Sequence, residues 1–333
     1  MNLKIYESNF FYITIISLYA YVINWMSGNL GVMPIDTFSF FDTGFSILKN
    51  KYPIRDFWIF SGIFIDYLQA LFFLLLGVSW SSYIAHASFF NILISLVVYL
   101  TFTNLNLSKF YSFFYAISVA TLCYPVAGTP FAYQHSFILS LVSILIICLA
   151  IKKKSNTLWF VLPIIMSLAF LSQQTPSSYI NVILIFVILY YFISEKNFNN
   201  LKYFIIGSLT ISVSFFIFLI ISKTPLTDFI YQYILFPLTI GSARVLNEQS
   251  AYVSLTDQLN LKRLFNEFKF IHVFLILLFI ITLNGIINKS KKLENYFIFT
   301  NLLLFVSSLC FIFHQLITAN QIFIFALIPI LAG

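Results

Sequence analysis

Charge is scarce in this chain. Only 9% of its 333 residues are Asp, Glu, Lys or Arg, whereas 60% are apolar, and the mean hydropathy is +0.95. A water-soluble globule of this composition would lack the polar surface needed to cover its core. The scarcity of charge therefore excludes a soluble protein and indicates an integral membrane protein.

Cysteines and several catalytic motifs are also scarce or missing. The three cysteines, Cys123, Cys148 and Cys310, lie in apolar runs without metal-ligand spacing, so we expect small buried side chains. The chain has no Gly-rich phosphate loop before a helix, no His-Glu-x-x-His motif and no nucleophile elbow. Nucleotide-driven transport and hydrolase chemistry therefore have no support in the sequence.

What the sequence does contain is a series of long apolar runs, which predicts an all-α polytopic membrane protein. Runs of roughly 20 apolar residues can cross the hydrocarbon of a bilayer as helices. The first run lacks a small-residue cleavage site, so we interpret it as a retained span and not as a signal peptide. The eleven runs lie near residues 10–26, 61–77, 82–103, 110–126, 135–151, 157–173, 178–194, 203–222, 270–288, 296–313 and 320–333.

The lysines predict which runs cross. If Lys4 marks a cytoplasmic start, the cluster Lys152, Lys153 and Lys154 requires an even number of crossings before it, yet five runs precede it. We assign the odd run, 61–77, to the interface because it is short and carries Asp66 and Gln69. An external N-terminus or a non-spanning 110–126 run remain alternatives.

This assignment gives one transmembrane domain, 1–333, with about ten crossings, both ends inside and no soluble domain. It leaves two long external segments, 27–81 and 223–269. The net charge of +7 then comes from lysines at the inner face and not from a nucleic-acid surface. The other charged residues that this topology places inside are Glu7, Lys109, Glu195, Lys196, Lys202, Lys289, Lys291, Lys292 and Glu294.

Polar side chains gather at the outer ends of the predicted spans. Polar groups at membrane depth are costly and tend to face a cavity, so their position suggests a hydrated pocket open to the exterior. Tolerance of His and Gln near headgroups is the alternative. Asn91 and Asn181, deeper in the spans, are expected to bond neighbouring helices. The outer set is His86, Gln134, His135, Gln173, Gln174, His272, His314 and Gln315.

The first external segment concentrates acidic residues. Asp36 lies about ten residues beyond the first span, near the outer boundary, and Asp42 and Asp56 follow it. A carboxylate there could serve as a general base, a metal ligand or a solvated loop charge. Gly and Pro residues in the segment favour short helices and turns over a disordered linker.

These residues resemble the first external loop of the GT-C fold glycosyltransferases, the superfamily of the protein mannosyltransferases and the aminoarabinose transferases. The resemblance rests on Asp36, the helix with Gly44, Tyr52-Pro53-Ile54-Arg55-Asp56, and an amphipathic stretch from Ser61-Gly62 to Leu76-Gly77. It extends to most of the chain in layout but only to residues 34–85 in motif. It implies a polyprenyl-phosphate-linked sugar donor, and it matches Asp36 to the base that activates the acceptor.

The resemblance therefore implies transfer of a sugar to the hydroxyl of a lipid, glycan or protein acceptor at the outer face of a bacterial inner membrane. The leaving phosphate needs a cation, for which Arg55, Arg244, Lys262 and Arg263 are candidates. Arg244 is favoured, because the fork of donors on a guanidinium suits phosphate and because we interpret Gly241 to Arg244 as a turn of the second long segment. The expected substrate-binding residues are Asp42, Arg55, Asp56, Gln134, His135, Gln173, Gln174 and Arg244.

The sequence also departs from the family. Many relatives carry a second acid in the short external loop where this chain has residues 129–135, with Gln134 and His135 as possible substitutes. Asp36 and His135 would make a poor ligand set, so we expect a metal-independent reaction without a cofactor, although a divalent metal stays possible.

Other functions in the same class remain open. A lipid-linked oligosaccharide flippase would need basic residues at span centres, which the predicted spans lack. An oligosaccharide polymerase or ligase would use Arg and His late in the chain, and Arg244 and His272 fit that description. An ion-coupled transporter would need a mid-span acid, and the predicted spans contain none.

Overall fold

The computed structural model describes residues 8–31, 35–59, 61–195, 198–246, 259–287, 295–318 and 322–333. Its α-helices are α1 Asn9–Gly28, α2 Ser39–Leu48, α3 Ile63–Leu76, α4 Trp80–Asn104, α5 Lys109–Leu122, α6 Ala132–Lys153, α7 Asn156–Ser172, α8 Gln174–Glu195, α9 Phe198–Ser222, α10 Leu226–Phe229, α11 Phe236–Leu246, α12 Leu261–Glu267, α13 Lys269–Ile287, α14 Asn295–Ile317 and α15 Leu327–Ala332. Short 3₁₀ segments cover Ile35–Phe38, Tyr124–Val126 and Ile322–Ile324, and Ile230–Leu235 forms a π-helix.

The all-α polytopic prediction is confirmed at a coarse level. Within the described ranges, seven helices are long and apolar enough to cross a membrane, namely α1, α4, α6, α8, α9, α13 and α14. The predicted total of ten crossings is not confirmed. Helices α5 and α7 have only 14 and 17 residues. Several residues used for the topology, Lys4, Glu7, Lys196, Lys289, Lys291, Lys292 and Glu294, lie outside the described residues.

The apolar run at 320–333, counted as a crossing in the predicted topology, is not one continuous helix in its described part. Ile322–Ile324 forms a 3₁₀ turn, and α15 begins only at Leu327. The physical reason is burial, because Phe323, Ile324 and Leu327 pack inside the main core of the bundle.

Hydrogen bonds between helices fix how α1 and α4 run. Asn24 of α1 donates to Ser88 Oγ of α4 at 3.0 Å, Asn91 Nδ2 donates to the Ala20 carbonyl at 3.0 Å, and Tyr99 donates to Asn9 at 3.2 Å. Residue numbers rise along α1 as they fall along α4, so the two helices are antiparallel. The segment between them therefore starts and ends at the same end of the bundle, as predicted for a non-crossing 61–77 run.

The asparagines inside the bundle bond neighbouring helices as expected. Asn91 also donates to the Ala120 carbonyl of α5 at 2.9 Å, and Asn181 of α8 donates to the Met166 carbonyl of α7 at 3.1 Å. Both amides connect helices whose side chains are otherwise mostly apolar. Such bonds satisfy a polar group where no water is available.

Two glycines allow close packing at the end of the bundle where α1 ends and α4 begins. The Gly62 amide donates to the Ser172 carbonyl at 3.0 Å, and a Cβ on Gly62 would lie 1.8 Å from the Leu171 carbonyl oxygen. A Cβ on Gly28 would lie 2.7 Å from the Gly128 carbonyl oxygen. These contacts set α3 against α7, and α1 against the loop before α6.

We predict that Gly62→Ala lowers the free energy of unfolding by about 1–3 kcal/mol, because a methyl group there collides with backbone and not with a movable side chain. Thermal unfolding of the purified protein in detergent measures the effect. Gly241→Ala is the matched control. Gly241 is helical with no atom within 4 Å of an added Cβ, so its replacement should be neutral or slightly stabilising. Equal melting temperatures for both variants would contradict the close contact.

Candidate functional site

The first long segment, predicted to be external, forms two short helices, α2 and α3, which pack on the end of the bundle where α1 ends and α4 begins. Phe40 of α2 is buried in one apolar cluster with Ile65 and Phe73 of α3, Tyr83 of α4 and Ala132 of α6. Packing of this kind stabilises a helix through the hydrophobic area that it removes from water. The segment is therefore attached to two longer helices, α4 and α6.

Asp36 and Asp42 lie on the exposed side of this segment. Asp36 belongs to the 3₁₀ segment, and Asp42 occupies the first turn of α2. Both are exposed to solvent. Among the described residues, neither carboxylate forms an ion pair. Two of the predicted acids thus lie on one short stretch, accessible from outside the bundle.

The other predicted pair, Arg55 and Asp56, forms a compact turn. The Arg55 guanidinium contacts the Asp56 carboxylate at 2.6 Å, donates to the Ser222 carbonyl at the end of α9 at 2.9 Å, and lies 4.5 Å from the Tyr52 ring centre. The hydrogen bond from Arg55, and then one from the Tyr52 amide, lower the pKa of the Asp56 carboxyl. Most donors of Arg55 are thus used within the protein.

The two long external segments contact each other. Gln232 donates to the Ile54 carbonyl at 2.9 Å, and the Trp58 ring lies 4.9 Å from that of Phe236 in an edge-to-face arrangement. Phe229 and Tyr233 are buried against the first segment. The structure therefore brings together the segments that carry the predicted base and the predicted phosphate-binding arginine.

The expected position of Arg244 is corrected in one respect. Residues 241–244, predicted as a turn, belong to helix α11. Leu238 and Gly241 continue the helical run that begins at Phe236, and no proline lies between Pro237 and Leu246 to break it. The sequence pattern Gly-Ser-Ala-Arg favours a turn only weakly, because Ala and Arg are strong helix formers.

The predicted glutamines form hydrogen bonds with neighbouring elements of the bundle. Gln134 is buried and donates to the Cys123 carbonyl at 2.5 Å, and Gln174 donates to the Tyr233 carbonyl at 3.0 Å. The backbone carbonyl of Gln173 accepts from Ser136 at 3.2 Å. These three hydrogen bonds connect the starts of α6 and α8 with neighbouring elements. Among the described residues, none of the three glutamines contacts Asp36.

A buried chain of hydrogen-bonded side chains lies beneath the acidic segment, and its connectivity was not predicted from the sequence. His86 Nδ1 is 2.8 Å from Gln69 Oε1, and the Nε2 atoms of His86 and His135 are 2.9 Å apart. His135 Nδ1 is 2.8 Å from the Tyr124 hydroxyl, which accepts from the Phe131 amide at 3.1 Å. The chain joins α3, α4, α6 and the loop between α5 and α6.

Each imidazole uses both of its nitrogens. His135 Nδ1 lies 2.8 Å from the Tyr124 hydroxyl and 3.1 Å from the Phe131 carbonyl oxygen. In the bond between the two Nε2 atoms, one nitrogen donates and the other accepts. The amide nitrogen of Gln69 is buried without a hydrogen-bond partner among the described residues. His86 and His135 have no exposed surface, so they do not line an open hydrated pocket, contrary to that prediction.

Asp66 is buried one turn before Gln69. Only 1% of it is exposed, and it accepts a short hydrogen bond from the Thr43 hydroxyl of α2. Burial raises the pKa of the Asp66 carboxyl to about 7, against a smaller lowering by Thr43. A carboxyl group thus lies inside the packed region that joins the two short helices to the bundle.

The sequence contained a signal for this buried cluster. Asp66 and Gln69 are spaced i, i+3 on a helix that is otherwise apolar, so they share one face. The polarity of that face indicated a buried polar contact as readily as an interface with water. Which helices supply the partners could not be derived from sequence, because Thr43, His86 and His135 come from separate elements.

Comparison with known proteins identifies no relative. No family model, no curated protein and no solved structure matches this chain. Within the described part of the chain, no group of three or more His, Cys, Asp or Glu side chains could hold a metal ion.

We predict that Asp66 makes the stability of the protein depend on pH. Because its pKa is raised on folding from the usual value near 4, its contribution is fully present below about pH 4 and is lost as the pH rises through about 7. The melting temperature in detergent should therefore fall between pH 5 and pH 8. Asp66→Asn, which keeps an acceptor for Thr43, should remove that part of the slope. An unchanged slope in the variant would contradict the assignment.

We also predict that His86 and His135 stabilise the protein as a unit. His86→Leu should lower the free energy of unfolding by about 1–3 kcal/mol, because it leaves Gln69 Oε1 and His135 Nε2 without a partner. His135→Leu should act similarly, and the double variant should cost less than the sum of the two. His272→Leu is the control, since His272 bonds the Leu264 carbonyl and shares no partner with His86. If the losses in free energy of unfolding for His86→Leu and His135→Leu were strictly additive, the hydrogen-bonded chain would be ruled out.

Proposed function

We propose that this protein is an integral-membrane glycosyltransferase that moves a sugar from a polyprenyl-phosphate donor to an acceptor hydroxyl, with Asp36 as the general base. The observation that carries the proposal is the position of Asp36: an exposed carboxylate on a segment whose next helix, α2, packs on the ends of α4 and α6. A general base must be both accessible to substrate and held in place.

The reaction has a simple balance. The acceptor hydroxyl loses its proton to the Asp36 carboxylate while its oxygen bonds to the anomeric carbon of the sugar. The bond from that carbon to the phosphate oxygen breaks, and its electron pair stays on the lipid phosphate. The positive charge that develops on the sugar and the negative charge on the phosphate are the features that an active site would stabilise.

The departing phosphate requires a cation, and the described contacts narrow the choice. Arg55 is engaged by Asp56 and by the Ser222 carbonyl, and Arg263 pairs with Glu267 at 2.9 Å. A guanidinium already bound to a carboxylate has fewer donors free for phosphate. Lys262 presents a single ammonium and not a fork of donors. We therefore retain Arg244 as the proposed phosphate ligand, because a guanidinium can bind phosphate through two donors and because this residue lies on the second long segment, which contacts the first.

The remaining parts of the proposal concern topology and location. We propose about ten crossings with both ends inside, a bacterial inner membrane and a site that faces outward. The antiparallel course of α1 and α4 supports a first long segment that lies wholly on one side. The acids Asp42 and Asp56, with Gln134, His135, Gln173 and Gln174, would support the site from the same end of the bundle.

We expect Asp36→Asn to reduce sugar transfer by about 10²- to 10⁴-fold, the usual contribution of a general base. Membranes containing the wild type or the variant would be supplied with radiolabelled polyprenyl-phosphate sugars, and labelled product would be counted. Asp228→Asn is a matched control: Asp228 is also exposed, lies at the start of α10, and has no role in the proposal. Equal transfer by wild type and Asp36→Asn would remove Asp36 from the mechanism.

A further inference from the structure

Helix α3 has its polar side inward and its apolar side outward, the reverse of a helix on a soluble protein. Asp66 and Gln69 are 1% and 0% exposed. They are fixed to Thr43 and His86. The outward side carries four leucines, which are Leu71 (46% exposed), Leu74 (69%), Leu75 (70%) and Leu76 (58%). A contiguous apolar face of this kind in water would be unfavourable and requires a partner.

The level of α3 along the bundle can be estimated from α4. Gln69 and Phe72 both contact His86, which lies six residues after the first residue of α4. With 25 residues, α4 is about 37 Å long against a hydrocarbon thickness of about 30 Å, so a centred helix projects about 4 Å at each end. His86, about 9 Å from the start, then lies roughly 5 Å inside the hydrocarbon.

Helix α6 gives a consistent estimate. It has 22 residues, so it is about 33 Å long and projects less than 2 Å when centred. His135, the fourth residue of α6, bonds His86 directly, and by this measure it lies about 3 Å inside the hydrocarbon. The middle of α3 is therefore level with the outermost hydrocarbon and not with the water beyond it.

The leucine face also continues a surface that belongs to a candidate span. The Phe72 ring lies 6.0 Å from that of Phe89, which is 50% exposed on α4. Leu71 precedes Phe72 directly, and Leu75 and Leu76 follow it by about one turn. The outward side of α3 is thus an extension of the apolar exterior of the bundle.

We propose that the leucine face of α3 is covered by lipid acyl chains of the outer leaflet, so that α3 is a short membrane-embedded helix whose polar side faces only protein. This assignment differs from that of an amphipathic helix floating at the interface with its polar side in water. It explains why Asp66 and Gln69 bond inward: at this depth only protein groups can satisfy them. The proposal does not depend on the glycosyltransferase activity.

Spin-label accessibility tests the proposal in the full chain. Single cysteines would replace Leu71 and Leu75 in a background with Cys310→Ser, since Cys123 and Cys148 are buried. Each variant would be labelled and reconstituted into phosphatidylcholine nanodiscs, and collision rates with oxygen and with a water-soluble nickel chelate compared. Leu209→Cys, on the exposed side of α9, is the lipid reference, and Lys51→Cys, in the exposed turn, is the water reference.

The expected result is an oxygen-to-nickel collision ratio at Leu71 and Leu75 several-fold above that at Lys51 and similar to that at Leu209. Nickel accessibility like that at Lys51 would overturn the proposal by placing the face in water. Low accessibility to both reagents at these two positions would overturn it by showing that protein, such as a second copy of the chain, covers the face. Leu71→Cys and Leu75→Cys change exposed side chains, so loss of folding is not expected.

Discussion

The satisfaction of polar groups within a largely apolar bundle is the constraint on which this structure depends. On the inner side of α3, Asp66 bonds Thr43, and Gln69 bonds His86, which connects it to His135 and Tyr124. An unsatisfied polar group in such surroundings costs several kcal/mol. These bonds therefore hold the short helices α2 and α3 against the ends of α4 and α6 with a fixed register.

The same constraint connects the fold to the proposed chemistry. Asp36 precedes α2 by only a few residues, and α2 is held by the Phe40 cluster and by the Thr43 hydroxyl. The second long segment also contacts the first, because Gln232 bonds the Ile54 carbonyl and Phe236 packs against Trp58. An exposed carboxylate on a packed segment can be presented to a substrate in a constant position, which a flexible loop would not achieve.

Much of the architecture could be predicted from the sequence, because length and hydropathy define spans directly. The run at 61–77 was separated from the crossings by its two polar residues and its short length, and the antiparallel course of α1 and α4 agrees with that assignment. The run at 320–333 was predicted as one continuous span, but hydropathy does not reveal the 3₁₀ turn that precedes α15. For the site, residue types could be nominated, but the pairing of His86 with His135 depends on how α4 packs on α6. Residues 241–244 were wrongly predicted as a turn because Gly241 favours one, although Ala243 and Arg244 are strong helix formers.

The central claim is that the end of the bundle carrying α2, α3 and α11 is the end that receives a lipid-phosphate substrate. Photocrosslinking with a polyprenyl phosphate that bears a diazirine next to its phosphate tests this most directly, with the attached peptides identified by mass spectrometry. The account predicts adducts in residues 35–59 and 226–246, reduced by an excess of unmodified polyprenyl phosphate. Adducts confined to the opposite end, around Lys152 to Lys154, would contradict it.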